Sequence, residues 1–166
     1  MTRDQTRHPA IIGVIATFAF LISVPAKAEP DLEAGKTVYQ DANCIGCHKW
    51  HGGGGGGYGG AALSLRETAM DRELLIEVIA CGRPATRMPY HIRGAYKSVD
   101  CYDGSTEADF GADFPPKAAK LLRDRQIEAV ADYLIAKLQG QGEATFEQCI
   151  DFWGEGSRQC DSMKRK

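Results

Sequence analysis

Cys44-Ile45-Gly46-Cys47-His48 sets two thiols three residues apart, with an imidazole directly after the second. On one turn of helix that spacing lets both sulfurs reach the vinyl groups along one porphyrin edge while His48 turns onto the iron, the pattern of covalent c-type haem attachment. A zinc site would need a second C-x-x-C, which the chain lacks, and a redox dithiol has no use for the adjacent His. The far side of the iron then needs a ligand, and Met88 is the best candidate. It stands 40 residues beyond His48, inside Gly82-Arg83-Pro84-Ala85-Thr86-Arg87-Met88-Pro89-Tyr90-His91, with Pro89 stiffening the backbone beside it. A thioether is soft and neutral, so it favours ferrous iron and raises the potential relative to a second imidazole. Of the other methionines, Met1 lies in the leader, Met70 abuts a helix start and Met163 sits in the tail. His91 is the rival ligand. The site residues are therefore Cys44, Cys47, His48 and Met88, with His48 and Met88 as axial ligands. His51, three residues after His48 on the same side of the haem, reads as a surface histidine.

Several elements must position this set. Residues 31–42 read as a helix leading into the pentapeptide, with Leu32, Gly35, Val38, Tyr39 and Ala42 on one face. A glycine inside a helix costs up to about 1 kcal/mol, so Gly35 marks a close approach of another helix. Residues 71–80 form a second helix, with Asp71 as N-cap, Leu75, Val78 and Ile79 buried, and Gly82 as the stop. A third, capped by Asp124, runs to Leu138 with a stripe of Ile127, Val130, Ala131, Leu134 and Leu138 and with Gly140 beyond its end. Tyr133 and Leu134 are placed to pack on Gly35 and Tyr39. Between these elements the expectations are irregular. The glycine run 52–57, followed by Tyr58, Gly59 and Gly60, lacks a phosphate-loop ending and reads as a flexible or irregular loop wrapping the haem edge. Residues 92–116 match no regular element, and Pro115-Pro116 should open a short helical turn.

The chain has 166 residues, 43% hydrophobic and 25% charged, which is the composition of one small globular domain. Arg3 and Arg7, an apolar or small run over residues 10–24, and Pro25-Ala26-Lys27-Ala28 have the form of an export signal cleaved after Ala28. The run is 15 residues, short of the roughly 20 that span a bilayer. The expected division is a signal over 1–28, a haem domain over 29–142 and an extension over 143–166, with periplasmic residence and no stable membrane span after cleavage. Arg3, Arg7, Lys27 and Asp4 leave with the signal, so of 20 basic and 22 acidic side chains 17 and 21 remain, a net charge of −4. That balance makes nucleic acid a poor partner. Four cysteines remain after the haem pair, an even number suited to an oxidising compartment. Of three possible pairings, Cys81 with Cys101 and Cys149 with Cys160 close short loops, each contributing about 3 kcal/mol. Arg83, Arg87, Arg93 and Lys97 form a stretch without acids, while Asp100, Asp103, Glu107, Asp109 and Asp113 follow. The basic stretch either steers an acidic redox partner or neutralises haem propionates.

With the pentapeptide, Gly35 and Tyr39, Met88-Pro89 and the 127–138 helix in order, the chain resembles a class I (mitochondrial-type) monohaem cytochrome c of the bacterial periplasm over about residues 31–138. The resemblance implies an all-α fold whose N- and C-terminal helices cross beside one covalent haem c, at a contact mapping onto Gly35, Tyr39 and Tyr133. It departs from the family where a Pro shortly precedes a Leu after the haem motif; here Gly60-Ala61-Ala62-Leu63 stands, leaving open which carbonyl holds His48. The 92–116 insertion and the tail are extra, and resemble additions in cytochromes that serve quinoprotein alcohol or methanol dehydrogenases. The expected role is one-electron transfer, not catalysis, with a periplasmic dehydrogenase as donor and an oxidase or another cytochrome as acceptor. Two rivals remain: a haem enzyme or gas sensor with an open distal site near Tyr90 or His91, and a haem subunit fixed within a larger dehydrogenase.

Overall fold

The computed structural model describes residues 29–55 and 62–163. The proposed signal (1–28), the end of the glycine run (56–61) and the basic residues 164–166 lie outside them.

Helix α1 (Leu32–Asp41) starts where Asp31 accepts from the Ala34 N–H at 2.9 Å, so an acidic cap satisfies a free donor at the positive end of the helix. Its face of Gly35, Val38 and Tyr39 is buried against helix α5 (Asp124–Lys137), which contributes Ile127, Val130, Ala131, Tyr133 and Leu134. The approach is as close as Gly35 suggests: a Cβ there would lie 2.2 Å from the Ala129 carbonyl oxygen and 2.6 Å from Tyr133 Cβ. Tyr39 and Tyr133 pack with ring centroids 5.8 Å apart. Between these two elements in sequence come the short haem-motif helix α2 (Cys44–His48) and helix α3 (Arg72–Cys81). Asp71 caps α3 by accepting from the Leu74 N–H at 2.9 Å. Gly82 ends it at φ 73°, where a side chain would be strained and would meet Pro115 Cβ and the Met88 carbonyl within 3 Å. A forked Arg72–Asp132 pair, 2.6 and 3.1 Å, joins α3 to α5.

The 92–116 expectation needs correction. Tyr90–Ile92 is strand β1, followed by a one-turn helix α4 (Glu107–Phe110), a 3-10 turn (Gly111–Asp113) and strand β2 (Lys117–Leu122), which pairs with β1 in parallel. Pro115 and Pro116 thus open a strand and no helical turn. Proline fixes φ but fits the start of a strand as well as that of a helix, and pairing with β1 decides between them. The start of α5 also moves by one: Arg123 is the cap, its N–H donating to Gln126 Oε1 at 3.1 Å. Among the described residues the fold remains all-α around this small ribbon.

Both short-range cysteine pairings are present, Cys81–Cys101 and Cys149–Cys160. The second staples helix α6 (Phe146–Trp153) to a terminal 3-10 segment (Arg158–Met163). Phe152 of α6 is buried, edge-on to Tyr39 at 6.3 Å and against Trp50 at 5.9 Å, so the extension covers the outer side of the α1–α5 crossing.

Candidate functional site

Asn43 leaves α1 at φ 61°, a left-handed conformation that Asn tolerates better than most residues, and this bend starts α2. One helical turn then places Cys44, Cys47 and His48 together. Tyr39 anchors the exit of the turn, its hydroxyl donating to the Lys49 carbonyl at 2.8 Å. Cys44 and Cys47 are the two free thiols of the six cysteines. Burial, and to a smaller extent the neighbouring Cys47, pushes the Cys44 thiol up to about 12 against an opposing backbone hydrogen bond.

The Leu63 carbonyl lies 3.1 Å from His48 Nδ1. A carbonyl only accepts, so Nδ1 carries the proton and Nε2 keeps its lone pair, the tautomer a metal ligand requires. Burial holds the imidazole below its ordinary pKa, which favours the same neutral form. Leu63 therefore supplies the bond that the missing Pro left unassigned. The strip before it is held at both ends: Gly54 N–H donates to the His48 carbonyl at 3.2 Å, Gly55 N–H to Ala62 at 2.8 Å, and Leu65 N–H to Gly52 at 2.7 Å. At Gly54, with φ 67°, a Cβ would stand 2.3 Å from the Ala62 oxygen, so glycine is required there. The described start of the glycine run, residues 52–55, follows the irregular course expected and is tied down by these bonds.

Cys44, Cys47 and His48 border a cavity of about 530 Å³, within the roughly 300–1,000 Å³ typical of ligand sites. Leu75, Val78 and Ile79 of α3 and Val130 and Leu134 of α5 give it apolar walls. Met88 and Pro89 line it as well, with Arg83, Arg87 and His91. All four predicted site residues thus share one chamber. Arg93 and Lys97 are exposed. His51 borders instead a separate cavity of about 350 Å³ beside Arg66 and α6; it is half-buried against Trp50, correcting the surface assignment.

His91 is 4% exposed, with Nδ1 3.1 Å from the Lys120 carbonyl. Burial lowers its pKa, partly opposed by that carbonyl. The unfolded chain therefore takes up a proton near pH 6.5 that the native state binds only at lower pH, and His91 removes stability as pH falls below about 6.5. The urea midpoint should drop between pH 7 and pH 5, and less steeply in His91→Gln. Identical pH slopes for the two proteins would contradict this.

Three contributors carried no sequence signal. Arg66, 7% exposed, donates to the carbonyls of His51 (3.0 Å), Gln141 (2.9 Å), Gly142 and Glu143 (3.1 Å) and to Gln148 Oε1 (3.0 Å). It pins the strip after the haem motif to the start of the tail. Tyr96 and Tyr102 send their hydroxyls to the Cys81 and Gly82 carbonyls at the root of the Met88 loop.

An apolar chamber between three helices, with an unpaired dithiol and a tautomer-fixed imidazole on one wall, suits a covalently held porphyrin and defines an all-α haem-protein class. The chain belongs to the cytochrome c family, whose model, described as "Cytochrome c", matches residues 32–136. Membership implies covalently bound haem c, haem-based electron transfer and redox partners. Comparisons with curated proteins and with solved structures return no significant match. Among the described residues, no helix is long and apolar enough to cross a membrane.

Proposed function

We propose that this protein is an exported, periplasmic one-electron carrier with a single haem c joined to Cys44 and Cys47 and ligated by His48 and Met88. The observation that carries the reading is the shared chamber: both free thiols, the Nδ1-protonated His48 and Met88 border one apolar cavity. Bound there, haem supplies reversible one-electron chemistry at its iron.

The chain's own residues do the rest. Leu63 holds the His48 ring and its tautomer, and Leu75, Ile79, Val130 and Leu134 exclude water, which favours the less charged ferrous form. Arg83 and Arg87 border the Met88 side, where they suit either an acidic partner or the haem propionates. In this reading residues 1–28 are the cleaved signal, 29–142 the haem domain and 143–166 a stapled extension, and the chain is not an enzyme. The 92–116 insertion and the tail support a dedicated partner, with a periplasmic dehydrogenase of the quinoprotein type as donor and an oxidase or another cytochrome as acceptor.

The test is the optical spectrum of the haem-loaded protein, oxidised and reduced, with and without carbon monoxide. The expected result is a low-spin spectrum with a methionine-to-iron charge-transfer band, no response to carbon monoxide, and complete loss of the band in Met88→Ala. A high-spin spectrum that shifts with carbon monoxide in the unmodified protein would replace the carrier by a catalyst or sensor.

A further inference from the structure

The loop that carries Met88 is short and closed on itself. Arg83 N–H donates to the Met88 carbonyl at 3.1 Å, Thr86 Oγ to the Arg83 carbonyl at 2.7 Å, and Met88 N–H to Thr86 Oγ at 3.1 Å. Such a knot fixes the loop's shape but not its position relative to α2. Position is set by the loop's attachments, and apart from the pairing of β1 with β2 beyond its far end, the hydrogen bonds at its root and crest run to one segment. Tyr96 hydroxyl donates to the Cys81 carbonyl at 2.7 Å, and Tyr102 hydroxyl donates to the Gly82 carbonyl. Ala85 N–H donates to the Asp113 carbonyl at 2.8 Å, and Tyr90 N–H to the Pro116 carbonyl at 2.9 Å. Both ends of the loop and its crest are therefore gripped by residues 96–116. That segment is itself bound to α3 by the Cys81–Cys101 bridge and by Tyr102 N–H donating to Glu77 Oε1 at 2.9 Å. Its rings stiffen it: Tyr96 packs on Phe114 at 4.8 Å and on Phe110 at 5.8 Å.

We infer that the 92–116 insertion is a clamp on the distal-ligand loop, with Tyr96 and Tyr102 as positioning residues that hold Met88 toward the chamber shared with His48. Neither phenol borders that chamber, so each acts through a backbone carbonyl and not on the haem. Both carbonyls end α3, where intrahelical donors run out; without the phenols they lose their partners and the loop root gains freedom. The inference rests on Met88 as the distal ligand.

Carbon monoxide is the probe, because it reports the fraction of ferrous protein in which the distal ligand has left. In haem-loaded Tyr96→Phe and Tyr102→Phe, which keep both rings, the rate of carbon monoxide binding should rise roughly tenfold each, the equivalent of one lost hydrogen bond to a buried acceptor. The charge-transfer band should weaken in parallel. The control is Cys149→Ser/Cys160→Ser, which destabilises the fold away from the loop and should leave both signals at their unmodified values. Tyrosine variants as closed to carbon monoxide as the unmodified protein would overturn the clamp while leaving Met88 as ligand. An unmodified protein that already binds carbon monoxide freely and lacks the band would overturn the Met88 reading and the clamp with it. Equal opening in the distant cysteine variant would also overturn the clamp, since general loosening would then account for the effect.

Discussion

Gly35→Ala should destabilise the protein by about 2–3 kcal/mol in denaturant unfolding, although alanine is the better helix former by about 1 kcal/mol. The sign follows from the crossing of α1 and α5. The new methyl would sit 2.2 Å from a backbone oxygen, and backbone cannot rotate aside as a side chain can. The helices must separate, opening the contacts of Tyr39 with Tyr133 and, behind them, of Phe152 with Tyr39. Gly35→Val should cost more, because its branches point into the same wall. A stabilised Gly35→Ala protein would mean that the helices cross elsewhere.

The second large effect is expected at Arg66. Arg66→Ala removes five donated hydrogen bonds at once and leaves carbonyls of His51, Gln141, Gly142 and Glu143 without that partner, for a loss of about 3–5 kcal/mol. Arg66→Lys should recover little. A compact ammonium cannot span the fan of acceptors that the planar guanidinium reaches from three nitrogens. The measurements are thermal unfolding and limited proteolysis across residues 139–145, where cutting should accelerate in both variants. A lysine variant as stable and protease-resistant as the unmodified protein would show that charge alone, without the fork, holds the tail.

The parts of this molecule that were readable in sequence are those whose cause is local. Asp71 announces a helix start because an acidic side chain reaches a free N–H three residues on, and Gly82 announces a stop because the backbone turns left-handed there. The short spacing of Cys81 to Cys101 and of Cys149 to Cys160 likewise foreshadowed the bridges. Tertiary effects were hidden. Lys117–Leu122 is made of Lys, Ala and Leu, good helix formers, and becomes a strand only because β1 offers a parallel edge. Arg66 is a single charged residue in an irregular stretch, and its acceptors lie as far as 82 residues away. The covalent haem c that family membership implies was legible from the pentapeptide, whereas the carbonyl beside His48 Nδ1 emerged only from the path of the chain at Leu63.

The placement of Cys44 bears on how the protein is made. In the proposed reading, assembly has to sort six sulfurs into two cystines and one dithiol kept free for attachment of the haem vinyls. Thiol–disulfide exchange proceeds through the thiolate, and the surroundings of Cys44 push its thiol well above the ordinary range, so little of it is ionised at neutral pH. In the folded chain Cys44 is therefore a slower nucleophile than an ordinary thiol toward the oxidants that close Cys81–Cys101 and Cys149–Cys160. Folding thereby slows the thiolate step at Cys44, which disfavours a competing Cys44–Cys47 cystine.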